Sequence, residues 1–440
     1  MSGSFYPTLS RIIERSEEIL REYPLCTRCL GRLFAKYGVG LSNHDRGVMI
    51  KTALALKIYS ETNTSMKEHH YAIATNAGDQ VASTYTKLYR EPITPKPCYI
   101  CGHRLTRDLI VEIARTSCEL LRRHEATRFL VGVVIDRGIL ERELELVTKY
   151  GTETSESIKR ELKREIGKAI MELCSLTPDF NIPDAVVMVS IDQSFNFKVH
   201  IEPSPIFYYG KYLKLGRNIS HVPWITKDGS KKYPISVQEF IENALKDLFM
   251  ASRIVIHAAG REDVDARMLG TGRPLVIEVK EPKRRNISLQ EINKALADHS
   301  STYPIQVTVL LKTTRSSKVR LKQESKKKRK IYRVVVYSPV DLRVEDLRKI
   351  EDALANREIM QRTPTRILKR KKDRVRTRRV FRVLTHLITS RVFEAIVYCE
   401  GGLYIKELVS GDGGRTTPSF SEVLNIELKP LELDVLYVED

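Results

Sequence analysis

Two Cys-x-x-Cys pairs constrain this chain more than any other feature: Cys26 and Cys29 in "LCTRCLG", and Cys98 and Cys101 in "KPCYICGH". Two such knuckles can close one tetrahedral four-thiolate zinc site, so the segments that carry them must meet in the fold. The insert between them is longer than in a simple zinc ribbon. Disulfides are the rival use, disfavoured in a chain that reads as cytosolic. A redox pair is weaker still, since a glycine closely follows each pair, as in knuckles. His103 offers a substitute ligand. Cys118, Cys174 and Cys399 lie on apolar stretches and are expected as buried core residues.

Composition then bounds the class. With 440 residues, 42% of them hydrophobic, the chain can build two or three cored domains. No apolar run approaches the length that spans a bilayer, and "MSGSFYPTLSRIIERSEE" has no apolar signal region. The expectation is a soluble, cytoplasmic protein with no membrane partner. Lys and Arg outnumber Asp and Glu by 74 to 55, a formal charge of +19, so a polyanion is the first partner to consider, and nucleic acid the first polyanion.

Apolar spacing organises the chain into three parts. Residues 1–120 read as a helical zinc-binding region, with helical periodicity in "LSRIIERSEEILREY" and "RDLIVEIARTSCELLRRH". Residues 121–215 read as a small α/β domain: strands "RFLVGVVID", "DAVVMVSID" and "FNFKVHIEP", and a helix with Ile158, Leu162, Ile166, Ile170 and Leu173 on one face, ending near "PIFYYGKYLKLGR". Residues 216–440 read as a mixed sheet with helices, giving an α+β chain overall. Two charge runs interrupt that last part, at 315–330 and 366–382. A lysine-rich run is ordinarily a solvated hairpin tip. Two of them on so basic a chain favour phosphate contacts, and 326–330 and 366–379 are expected to grip an RNA backbone.

The stretch "HAAGREDVDARMLGTGRPLVIEV" places acids and arginines between two apolar strands, where a plain turn would not need them. Its "GRED", Gly260 to Asp263, resembles the G-R-x-D catalytic motif of pseudouridine synthases. The longer "GREDVDARMLGTGRP" resembles the archaeal and eukaryotic family of tRNA pseudouridine synthases that act on the TΨC arm, at positions 54 and 55 in archaeal members. "LCTRCLGRLFAKYG", "KPCYICG", "PIFYYGKYLKLGR", "KIYRVVVYS", "QRTPTRI" and "YIKELVSGDGGRTTPS" agree with that family in order along nearly the whole chain. The resemblance implies a pseudouridine-synthase catalytic domain with a mixed sheet. It also implies a zinc-containing N-terminal region with a THUMP RNA-binding module before it, structural zinc, no organic cofactor, and tRNA as partner. It names no protein partner.

Moving uracil from N1 to C5 on the ribose requires a carboxylate facing the sugar, and the motif assigns Asp263. A carboxylate in a closed site stays ionised only if cations or donors compensate its desolvation. Arg261, Arg267 and Lys406 are the candidates, Lys406 because a basic residue after Tyr-Ile pairs with the aspartate in many synthases. Asp265 is the rival carboxylate. Tyr332 in "KIYRVVV" matches the tyrosine that stacks on the uracil, and Ile405 and Leu433 match residues that form an apolar floor beneath it. The loop "GDGGRTTPS", Gly411 to Ser419, reads either as a backbone-rich phosphate loop or as a plain turn. THUMP modules also serve RNA methyltransferases and thiouridine synthetases. Against these, the chain shows no glycine-rich strand-to-helix fingerprint and no phosphate-binding G-x-x-x-x-G-K motif. The remaining alternative is a non-catalytic zinc-containing RNA-binding protein or tRNA chaperone, for which Asp263 would be dispensable.

Overall fold

A computed structural model describes residues 9–61, 63–150, 154–324, 328–369 and 371–439. The chain divides between Pro203 and Ser204 into two units, each with its own core. In the first, helices α1 (Leu9–Glu22), α2 (Thr27–Leu33), α3 (Asn43–Ser60), α4 (Lys67–Ala77), α5 (Asp79–Tyr89) and α6 (Arg107–Arg123) precede strand β1 (Arg128–Ile135) and helices α7 (Arg137–Tyr150) and α8 (Ile158–Cys174). Strands β2 (Thr177–Pro178), β3 (Ala185–Ile191) and β4 (Phe197–Pro203) complete a sheet of order β2-β1-β3-β4, parallel except for the β3–β4 hairpin. One hydrophobic core runs from Ile13 to Phe195, so the helical segment and the α/β segment do not have separate interiors.

Helix α8 shows how the sequence dictates this packing. Ser157 caps it by accepting from the Arg160 amide, and Ile158, Leu162, Ile166 and Ile170 line its buried face. Leu173 of the same spacing is exposed in the last turn. Cys118 is buried as expected and Cys174 only partly, and the two form a disulfide joining α6 to α8, a pairing not expected from the sequence. Periodicity places each cysteine on its own helix but does not reveal which residue faces it across the pair. The two Cα atoms lie 6.1 Å apart, within reach of a disulfide. Cys399 is buried, as expected.

In the second unit, β5 (Ile206–Lys214), β6 (Arg253–Ala258), β7 (Arg267–Lys280), β8 (Ile305–Thr313), β9 (Arg329–Tyr337), β10 (Arg357–Arg362), β11 (Val375–Thr389), β12 (Val392–Glu400), β13 (Thr416–Thr417) and β14 (Lys429–Val438) form one mixed sheet. Its order is β13-β10-β11-β12-β9-β14-β7-β5-β8, with β6 also paired to β7. Helices α9 (Val237–Phe249) and α10 (Leu289–Ser300) pack on β6 and β8, and α12 (Val344–Leu354) packs on β11, with α11 (Arg315–Glu324) against β6 and β7. Short helices α13 (Ile405–Ser410) and α14 (Phe420–Leu424) precede β14. Apolar spacing puts "PIFYYGKYLK" at the end of the 121–215 segment. The structure pairs it with β7 and β8, where Tyr208 and Tyr212 are buried in the second core.

Strand β7 anchors the site. Its first residues pair with β14 in parallel and its later ones with β5 and β6. Gly270 lies at that handover with φ +58°, and a Cβ there would stand 1.8 Å from the Leu436 carbonyl oxygen, so only glycine fits. Neither charge run is simply a solvated hairpin tip. The first forms α11 and then enters β9, where Lys330 is buried; residues 326 and 327 lie outside the described residues. Of the second, residues 375–382 open the inner strand β11, between β10 and β12.

Candidate active site

The loop between β6 and β7 is pinned from beneath. Glu262 points inward and accepts from the Tyr212 hydroxyl at 2.8 Å and from Arg273 Nε at 3.0 Å, with Lys214 Nζ 3.6 Å away. Lys214 donates to the carbonyls of Ile219, Asp263 and Val264, and Arg273 Nη1 donates to that of Ala259. Buried side chains from β5 and β7 thus take up backbone carbonyls that the turn leaves without a ladder partner. Burial opposes the charge on Glu262, yet Arg273 and Lys214 hold its carboxyl below the usual range. Gly260 turns the chain at φ +82°, and a Cβ there would come within 3.3 Å of Arg273 Nη1.

Asp263 faces the other way, its side chain 34% exposed. Arg366 Nη2 lies 2.9 Å from its Oδ2, and Lys406 Nζ lies 3.7 Å from the same oxygen. Lys406 is closer to Asp265, at 2.6 Å, and Arg366 Nε also binds Glu407 Oε1 at 2.7 Å. The structure therefore brings Lys406 to Asp263 as the motif implies and adds Arg366, which its place in the sequence assigns to a phosphate-gripping run. Arg267 is a correction. It makes a two-pronged contact with the buried Asp434, at 2.9 and 2.7 Å, together with Arg217 and Arg333. Arg261 is exposed, and among the described residues the cations on Asp263 are Arg366 and Lys406.

Tyr332, Ile405 and Leu433 are all buried in the core of this unit, Tyr332 on β9 and Leu433 on the adjacent β14. Burial raises the Tyr332 phenol well above its ordinary range, with a further push from the Cys399 thiol, so the ring stays protonated and neutral. Lys330, two residues earlier, is driven down to about 8 by burial and by Arg273.

The cations on Asp263 are themselves braced. Gln361 on β10 pairs both amide atoms with the backbone of Tyr404, donating to its carbonyl at 2.9 Å and accepting from its amide at 2.8 Å. This fixes the chain just before Ile405 and Lys406. The glycine loop after α13 braces the neighbouring 361–367 segment. Asp412 accepts from the Thr365 amide, Arg415 donates to the Thr363 carbonyl, and the Arg362 amide donates to the Arg415 carbonyl. The 361–367 segment is thereby held where it delivers Arg366.

In the first unit the Sγ atoms of Cys26, Cys29, Cys98 and Cys101 lie within 4.8 Å of one another. Cys101 is 3.5 Å from Cys26 and 3.6 Å from Cys29. A tetrahedral ion bound at about 2.3 Å sets its sulfurs about 3.8 Å apart, so these residues can hold such a metal. Cys26 caps α2, its sulfur accepting from the Cys29 amide, and the second knuckle turns at Gly102, φ +56°. His103 is exposed, outside the cluster, with Nε2 3.3 Å from the Lys96 carbonyl. The buried Arg32 joins the cluster to α7 and α8: Nη1 lies 3.7 Å from Cys29 Sγ and 3.0 Å from Glu161, and Nε lies 3.1 Å from Glu143.

Among the described residues no helix is long and apolar enough to cross a membrane. Residues 207–439 match the model of the Pus10 C-terminal region, and residues 113–190 that of the archaeal Pus10 THUMP domain. The chain is similar to the tRNA pseudouridine synthase Pus10 of Thermosphaera aggregans, 46% identical with all of both chains covered. It is similar as well to that of Ignisphaera aggregans, at 40% over 98% of this chain and 99% of the relative. It is 40% identical to that of Aeropyrum pernix over 98% of each. Among solved structures, a chain of a Cbf5-Nop10-Gar1 complex is similar at TM-score 0.29 and 17% identity, covering 51% of this chain and 49% of that one. With both family models matched in order and full-length relatives well above 30% identity, the chain belongs to the Pus10 family of tRNA pseudouridine synthases.

Proposed function

We propose that this protein isomerises uridine to pseudouridine in the TΨC arm of tRNA, at position 54, position 55 or both, with Asp263 as the catalytic carboxylate. The observation that carries this reading is Asp263 itself: an outward carboxylate on a pinned loop, held by Arg366 and Lys406 and still a third exposed. The reaction breaks the bond from N1 to C1′, turns the uracil over and joins C5 to C1′, after which C5 loses its proton. Asp263 acts at the ribose, as nucleophile or as base. Lys406 and Arg366 set positive charge against it, which orients it toward the sugar. The protonated Tyr332 ring serves as a stacking surface for the base, beside the apolar Ile405 and Leu433. Arg261, on the exposed side of the loop, is available to the RNA.

The four cysteines fit zinc by donor type and spacing, and a zinc ion there would supply folding energy to the first unit and no step of the reaction. The first unit, which contains the THUMP match, would hold the tRNA through contacts outside the target base. The test is to incubate tRNA transcripts with the protein and map pseudouridine by carbodiimide adducts. Adducts at position 54 or 55 that vanish with Asp263→Asn support the reading. Adducts elsewhere would move the target, and tRNA binding without any adduct would favour the chaperone alternative.

A further inference from the structure

Asp263 has two cations, and they are not equivalent. Arg366 Nη2 is within hydrogen-bond distance of Asp263, at 2.9 Å, whereas the Lys406 ammonium stands 3.7 Å away and spends its short contact, 2.6 Å, on Asp265. The other edge of the Arg366 fork is also fixed: Nε donates at 2.7 Å to Glu407, whose side chain is only 6% exposed. Among the described residues the buried Glu407 Oε2 has no hydrogen-bond partner, so the Arg366 contact at Oε1 carries that carboxylate's compensation. A planar guanidinium held along one edge presents its remaining N–H groups in a set direction, which an ammonium cannot do. The turn that carries Arg366 is clamped on both sides, by Asp412 on the Thr365 amide and by Arg415 on the Thr363 carbonyl.

We propose that Arg366, anchored by Glu407, is the positioning residue that aims the Asp263 carboxylate for the reaction, while Lys406 acts chiefly through Asp265. The inference rests on the reading of Asp263 as the catalytic carboxylate. Burial works against the Arg366 charge, but Glu407 and then Asp263 hold it firmly protonated, as a permanent orienting charge requires. Because Arg366 lies in a basic run, the competing role is a phosphate contact, which would act on binding rather than on the bound complex.

The experiment uses the full-length protein and a tRNA transcript, measuring single-turnover pseudouridine formation at saturating enzyme alongside filter-binding affinity. Arg366→Ala is expected to slow the single-turnover rate on the order of 10²-fold, as a misplaced reacting group does, with affinity nearly unchanged. Millimolar guanidinium ion should restore part of that rate, an effect a purely structural residue would not show. Arg366→Lys should fall between wild type and alanine, and Glu407→Gln should slow the reaction in the same sense by leaving the fork unanchored. If Arg366→Ala proves poorly folded, Arg366→Lys and Glu407→Gln carry the same test. Normal single-turnover rates in these variants, with or without weakened binding, overturn the proposal. Asp263→Asn separates the two readings: an active Asp263→Asn refutes the Asp263 assignment itself, whereas an inactive one beside normal Arg366 and Glu407 variants refutes only the positioning role.

Discussion

Glu262 and Asp263 are sequence neighbours with opposite fates. Glu262 is consumed by Tyr212, Arg273 and Lys214 inside the unit, and Asp263 is left partly exposed beside Arg366 and Lys406. The motif and its Tyr-Ile-Lys partner made Asp263 and Lys406 legible in the sequence. Arg366 was not legible, because in "RILKRKK" it looks like every other base around it; only the tertiary fold sets it apart. Lys330 misled in the same way. It closes a lysine run yet is buried, 7% exposed, under Gly260 and beside Arg273. Its amine falls from 10.5 to about 8 on folding, so between those values the unfolded chain binds more protons and stability rises with pH. Below about 8 the burial penalty is fully present. Lys330→Met should therefore be more stable than wild type near neutral pH, and the gap should narrow as pH climbs from 8 toward 10. Denaturant melts across that range check it, and a pH-independent difference would mean the amine is not burdened.

At the scale of elements, the long helices and apolar strands follow their periodicity, whereas β11 does not. Four arginines crowd its first half and, among the residues of the strand, Val380 and Val383 alone are fully buried, so that half reads as a charge run. The segment that forms β5 reads only as the end of the 121–215 domain, since β pairing is non-local and its partners β7 and β8 lie far along the chain. Exposed Lys371, Lys372 and Arg374 just before β11 are the part of that run free to meet phosphates. Changing all three to Gln should lower the slope of log affinity against log salt by about 0.7–0.9 for each phosphate no longer neutralised. Filter binding over a salt series measures it, and an unchanged slope would place the RNA elsewhere. The knuckles were fully legible, as Cys-x-x-Cys pairs carry their own geometry. Purified protein should hold about one zinc per chain. Cys98→Ser should lose it and loosen the first unit, while the second unit, with its own core, keeps its melting transition. Metal analysis and calorimetry decide this, and well-folded metal-free protein would count against the site.

For the molecule as a whole, the domain count depended on cores that spacing could not count. Residues 9–203 share one interior although they read as a helical region followed by an α/β domain, because α6 and α8 lie against each other and against the first sheet. The THUMP match at 113–190 lies inside that shared interior, so loss of the metal should disturb RNA binding more than chemistry on bound RNA. The catalytic claim belongs to the second unit. Joining C5 to C1′ expels the C5 hydrogen, so tRNA labelled with tritium at uridine C5 reports the reaction directly. Wild-type protein should release tritium to water, Asp265→Asn should retain measurable release, and Asp263→Asn should release none while binding tRNA with near-normal affinity. Release by Asp263→Asn at the wild-type rate would contradict the account.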